Sequence, residues 1–215
     1  MTRRNRLVVT ATAVVLAIFV SGGLAFAAGV AASAKTIIAG VVTPPTFFVN
    51  SITDTNAGAT AGKLEAGDKS VALFAGQVQQ STLCSTWSNA TSTQSLAGFT
   101  FTLNDNAGTG GTDTLTVTAA PAACASGFHF GTVDLKNAGY VTGGSATFTN
   151  STIGLTQTAS STTLTLTLGT PGGSGTLVKV TTTSAAVYTP DANITNTTAV
   201  AIGLNTSTTT TAVQF

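Results

Sequence analysis

Charge is the scarcest resource in this chain: eight Lys and Arg, seven Asp and Glu and a single His make only 7% of 215 residues charged, against about 25% in ordinary soluble domains. The three arginines, Arg3, Arg4 and Arg6, all lie at the extreme N-terminus. Beyond residue 34 five lysines face seven acidic residues, a net of −2 with no basic cluster. Phosphate neutralisation needs such a cluster, so nucleic acid and anionic membrane surfaces are excluded as partners of the body of the chain. One Glu and six scattered Asp do not form the paired carboxyls of glycoside hydrolysis. With His129 as the only imidazole and no G-x-S-x-G elbow, a Ser-His-acid triad has little to build on. Two cysteines and one distant His fall short of a four-ligand zinc site. The chain therefore reads as a non-enzyme without cofactor.

What fills the polar positions instead is threonine, 45 residues of it, with Ser, Ala and Gly. Leu, Val, Ile and Phe alternate with these residues, so the segments can bury one face, which argues for strands rather than disorder. Phe99, Phe101 and Leu103 share one face of a run whose other face is Thr100 and Thr102, and residues 114–118 answer it across a Gly/Asn-rich tip at residues 104–111. Further strands are predicted at residues 47–52, 71–74, 146–149, 163–168, 177–182, 186–188, 200–204 and 212–215, with Pro171-Gly172-Gly173-Ser174-Gly175 as a turn. No helical periodicity of useful length follows residue 35. Short strands punctuated by Gly-rich turns predict an all-β sandwich or barrel.

The N-terminus has a different character. Three arginines precede an apolar run at residues 7–20, and small-residue cleavage patterns follow at Ala25-Phe26-Ala27 and Ala32-Ser33-Ala34. This is the layout of a secretory signal peptide over residues 1–34, with the first cleavage site nearer the apolar run. An uncleaved signal-anchor helix is the alternative, because residues 7–34 carry no charge and exceed the ~20 residues that span a bilayer. Membrane contact is expected only through this segment. Residues 35–46 read as a linker or edge strand, and residues 47–215 as one β domain.

Export places Cys84 and Cys124 in an oxidising compartment, where a disulfide is expected between them. Trp87, three residues after Cys84, is expected to pack as core beside the bridge. His129, between Phe128 and Phe130, is expected to face solvent from a strand. Asp54, Asn56 and Glu65 fall at positions one, three and twelve of a calcium-loop count, although Ala59 occupies the sharp-turn position. Asp105 and Asp113 flank the hairpin tip and are a second weak calcium candidate; ordinary turn chemistry explains both sets. Five Asn-x-Ser/Thr sequons, at Asn89, Asn150, Asn193, Asn196 and Asn205, recur as expected in a Thr-rich chain.

Two stretches carry a resemblance. Ile52-Thr53-Asp54, then Gly62-Lys63-Leu64-Glu65-Ala66-Gly67-Asp68 and a strand ending at Phe74, resembles the opening of bacterial immunoglobulin-like domains of surface-layer and other cell-surface proteins. Tyr188-Thr189-Pro190-Asp191-Ala192-Asn193-Ile194-Thr195-Asn196 resembles their closing strand. Here Ala75-Gly76-Gln77 stands in place of the usual Ser-Glu-Pro-like turn, and Asn196 in place of Asp. The resemblance implies an immunoglobulin-like β-sandwich at the cell surface and carries over no catalytic residue. The functions that follow are an exported structural or adhesive module, a carbohydrate-binding module, or a self-assembling subunit that pairs through its edge strands. Its partners would be cell-envelope components or other surface proteins.

Overall fold

The computed structural model describes residues 37–38, 41–42, 47–124, 127–182, 184–202, 207–208 and 215. The signal or anchor segment lies outside them. Contacts divide the chain into two units, Met1–Pro44 and Pro45–Phe215. In the first, β1 (Ile37–Ile38) pairs antiparallel with β2 (Val41–Val42).

The second unit is built on one antiparallel sheet. Its strands are β3 (Phe48–Thr55), β4 (Lys69–Ala75), β5 (Thr93–Asn104), β6 (Thr114–Ala119), β7 (Gly131–Asp134), β9 (Ala146–Gln157), β10 (Ser161–Thr167), β11 (Thr170–Gly173), β13 (Val187–Pro190) and β14 (Ser207–Thr208). They pair in the order β14-β13-β7-β6-β5-β9-β10-β4-β3, with β11 on the edge of β9. β8 (Val141–Thr142) and β12 (Thr176–Leu177) form a separate pair. The β9–β10 hairpin thus sits between β4 and β5, which are successive in sequence.

Curvature brings the two ends of this order together, and β14 and β13 approach β3. The bend is written into β5 and β9. In β9 the buried residues are Ala146 and Phe148 and then Ser151, Ile153, Leu155 and Gln157. The side-chain period slips by one at Asn150, whose φ of 54° lies in the left-handed region that Asn tolerates better than most residues. β5 shifts register opposite it, between Ala97 and Phe99 and again before Phe101. Gly169 packs into this corner: a Cβ there would lie 2.0 Å from the Thr149 carbonyl oxygen, and its N–H donates to Ser151 Oγ at 3.0 Å.

The core lies inside the curl. Phe74 of β4 meets Tyr188 of β13 edge-on at 6.4 Å, and Tyr188 continues to Phe130 at 5.2 Å and Phe101 beyond it. The buried Tyr188 hydroxyl donates to the Phe130 carbonyl, which removes the cost of burying it. Cys84 and Cys124 are joined by a disulfide, as expected from the sequence, with Cα atoms 5.0 Å apart. Trp87 is buried and packs edge-on against Phe128 at 5.7 Å, beside that bridge in sequence.

The crossover between β4 and β5 carries no long strand and is held by side-chain amides. Gln80 Nε2 donates to the Thr91 carbonyl and to Gln157 Oε1, Gln94 Nε2 donates to Gln80 Oε1, and Asn89 Nδ2 donates to the Val78 carbonyl. These amides stand in for a ladder that the crossover lacks.

Where a strand was expected at residues 177–182, only Thr176 and Leu177 are paired. Val178 and Val180 instead donate their N–H groups to the Tyr140 and Gly62 carbonyls, stitching three connections together. At residues 200–204, Ala201 makes only an isolated bridge to Thr195, and residues 203–204 lie outside the described set. Of the strand expected at residues 212–215, only Phe215 is described; it is buried, and its carbonyl accepts from Gly62 N–H. Among the described residues no helix is long and apolar enough to cross a membrane.

Candidate functional site

Two surfaces concentrate chemistry that the linear sequence scatters. The first is the end of the domain where β3 leads into β4 and β5 into β6. Six of the seven carboxylates, Asp54, Glu65, Asp68, Asp105, Asp113 and Asp134, and the four described lysines, Lys63, Lys69, Lys136 and Lys179, sit on the strand termini and connections of this end. Backbone bonds join those connections: Val180 N–H to Gly62 O, and Asp113 N–H to Asn137 O at 2.8 Å.

The acidic side chains spend themselves on the backbone. Asp68 is fully buried and accepts from the N–H groups of Ala57 and Gly58 through Oδ1 and of Glu65 through Oδ2, at 2.7–2.9 Å. Gly67 beside it has φ +95°, the angle the turn requires. Glu65 Oε2 accepts from Thr60 N–H at 2.8 Å, and Oε1 lies 3.8 Å from Lys63 Nζ. Asp105 Oδ1 accepts from Ala107 N–H within its own turn. Asp113 Oδ2 accepts from Tyr140 and Val141 N–H groups. Asp134 accepts from Lys136 N–H and Nζ and from Thr112 Oγ1. Among the described residues Asp54 takes no backbone donor; its Oδ1 accepts from the Ser70 hydroxyl. Thus Glu65 is turned into its own loop, away from the role a twelfth-position ligand would play, and Asp105 and Asp113 are held by different segments.

Among the described residues three buried oxygens have no donor within hydrogen-bond geometry: Asp54 Oδ2, Asn56 Oδ1 and Asp113 Oδ1. Burial pushes the Asp54 carboxyl up to about 6, against the pull of the Ser70 hydroxyl. Burial also raises Asp113, with Asp105 adding to it and the bonds from Val141, Tyr140 and Asn106 opposing. The Tyr140 phenol is raised by burial first, then by the nearby charges of Asp54 and Asp113, so both carboxyls lie within electrostatic reach of it. A carboxyl whose folded-state value exceeds its unfolded one keeps its proton in the folded chain after the unfolded chain has lost it. The folded state therefore loses stability as pH rises between about 4 and about 6, by about 3 kcal/mol in all. In chelator-containing buffer, wild type should lose up to this amount relative to Asp54→Asn between pH 4 and pH 7, read from urea midpoints. Parallel curves for the two proteins would show that Asp54 stays ionised.

His129 is the sequence expectation that needs correcting. It precedes β7 rather than lying in a strand, is half-buried, and its Nδ1 lies 3.0 Å from Asp191 Oδ2. Burial works against the Asp191 carboxylate, but the Asn193 N–H, His129 and the Asn193 amide together hold it below the usual carboxylate range. This pair closes the opposite end of the domain, near the disulfide in sequence.

The second surface is the outer face of β5, β9, β10, β4 and β3. Strand registers align Thr93, Thr156, Thr163, Leu73 and Ser51 in one row, Ser95, Gly154, Thr165, Val71 and Thr53 in the next, and Ala97, Thr152, Thr167, Lys69 and Thr55 in a third. Ten of these fifteen positions are Thr or Ser, and Lys69, at the rim, is the one charge. Rows repeat about every 6.7 Å along the strands, and strands stand about 4.8 Å apart. The result is a near-neutral lattice of hydroxyl and methyl groups.

Comparison with models of known protein families, with curated proteins and with solved structures finds no match for this chain.

Proposed function

We propose that this chain is an exported, non-catalytic structural or adhesive module of the cell surface, with an immunoglobulin-like sandwich as its body. The observation that carries the reading is the neutral Thr/Ser face of five strands. It offers many weak hydrogen bonds and methyl contacts at little desolvation cost, and so suits broad contact with another uncharged, hydroxylated surface. The disulfide fits an oxidising location. Six of seven carboxylates serve backbone N–H groups, the work expected of acids in a structural body. The curl of the sheet and the two end motifs support the immunoglobulin-like reading of the fold.

A membrane-impermeant amine reagent applied to intact cells should label the exposed Lys69, Lys136 and Lys179. Glutamate at Thr163 and Thr165, in the middle of the lattice, should reduce cell adherence or aggregation several-fold while leaving the melting temperature within a few degrees. Lysines labelled only after lysis, or adherence untouched by both charges, would remove this reading. A second reading, self-association, is favoured by the edge of β5: β6 pairs it only from Thr100 onward, so, among the described residues, positions 93–97 have a strand on one side alone. A strictly monomeric particle at high concentration would remove it.

A further inference from the structure

The charged end contains an imbalance that turn chemistry does not resolve. Asp54 is 5% exposed and, among the described residues, one of its carboxylate oxygens has no donor; Asn56 Oδ1, also shielded from solvent, has none either. Both orphans are acceptors. Asp54 ends the buried run of β3, and Asn56 follows it at the two-residue spacing that returns a strand's side chains to the same face. Five donors of this connection are committed elsewhere: Ser70 to Asp54 Oδ1, the N–H groups of Ala57, Gly58 and Glu65 to Asp68, and that of Thr60 to Glu65. The four lysines do not supply the missing positive charge, since the two that are ion-paired go to Glu65 and Asp134. An unpaired carboxylate in such surroundings is costly, and a hard cation accepts lone pairs from several oxygens at once. Calcium is the ion whose flexible shell of carboxylate, amide and backbone oxygens suits this donor set; magnesium demands a stricter octahedron.

We propose that Asp54 and Asn56 bind one calcium ion at the root of the 56–68 connection, through the two oxygens left without a donor there. The ion would fasten the connection that Asp68 shapes to the end of β3, stiffening the charged end of the module. This goes beyond the adhesive reading and stands or falls separately from it.

The test is a thermal melt of the full mature chain at pH 7.5 in chelator and then in calcium chloride, with calorimetric titration for stoichiometry. Calcium at one hundred times its dissociation constant should raise the midpoint by on the order of 5 °C, with one ion per chain. The shift should disappear in Asp54→Asn and shrink in Asn56→Ala, each variant showing a cooperative melt in chelator. It should persist in Asp191→Asn, at the opposite end. No calcium shift in wild type, or a shift that survives Asp54→Asn, overturns the proposal. In the first of these outcomes the Asp54 oxygen is satisfied by a proton, and the midpoint should fall between pH 5 and pH 7.5 with or without calcium.

Discussion

Asp68→Ala is expected to destabilise the domain by about 3–5 kcal/mol, among the largest effects of any single side chain here. Its carboxylate accepts three backbone N–H bonds from two separated stretches, Ala57 with Gly58 and Glu65. Its own backbone takes part as well, because the Asp68 carbonyl accepts from Leu168 N–H at the end of β10. Removing the side chain strands three donors, each costing about 1–3 kcal/mol when left unpaired, and these bonds are charge-assisted. Water will reach some of the freed N–H groups, which keeps the total below the sum of the maxima. Asp68→Asn keeps one acceptor oxygen and should recover about half of the loss. Urea unfolding provides the measurement. A loss below about 1 kcal/mol for Asp68→Ala would mean that the 56–68 connection holds its shape without the carboxylate.

Replacing Cys84 and Cys124 together by alanine is expected to cost about 4 kcal/mol, the chain-entropy value for closing a loop of about 40 residues. For a domain of this size that is about 10 °C in melting temperature. The bridge ties the amide-clamped crossover near Gln80 to the turn that precedes Phe128 and Phe130. Both cysteines are almost fully buried, so the reduced wild-type protein should fall by a similar amount and not by more. Equal melting with and without reductant would place little of the unfolded-state constraint in this loop.

Periodicity made most of the sheet legible. β10 and the β5–β6 hairpin follow the alternation of Leu and Phe with Thr, β4 is marked by its continuous apolar run Val71-Ala72-Leu73-Phe74, and the disulfide was legible from the signal-like N-terminus and the cysteine number. The second half of β9 was not legible, because the bulge at Asn150 flips the alternation and hides residues 151–157 from a pattern of period two. The strand read at residues 177–182 failed for the converse reason. Its valines do alternate, but their N–H groups are taken by the carbonyls of Tyr140 and Gly62, distant in sequence. Gln80 and Gln157, 77 residues apart, look like ordinary polar positions until the fold buries them against each other. The neutral lattice was visible only as composition. Rows such as Thr93, Thr156 and Thr163 are set by register across three strands, which no local pattern encodes. Asp54 and Asn56 were marked by spacing, but Glu65, chosen by the same count, is turned to Thr60.

The central claim, an exported and disulfide-closed module, is tested most directly by the intact mass of the protein recovered from producing cells, by fraction, before and after reduction. The expected result is a protein found outside the cytosol, either lacking its first 27 or 34 residues or retaining them in the membrane, whose mass rises by two hydrogens on reduction. A full-length protein confined to the cytosol, with a mass unchanged by reduction, would contradict it.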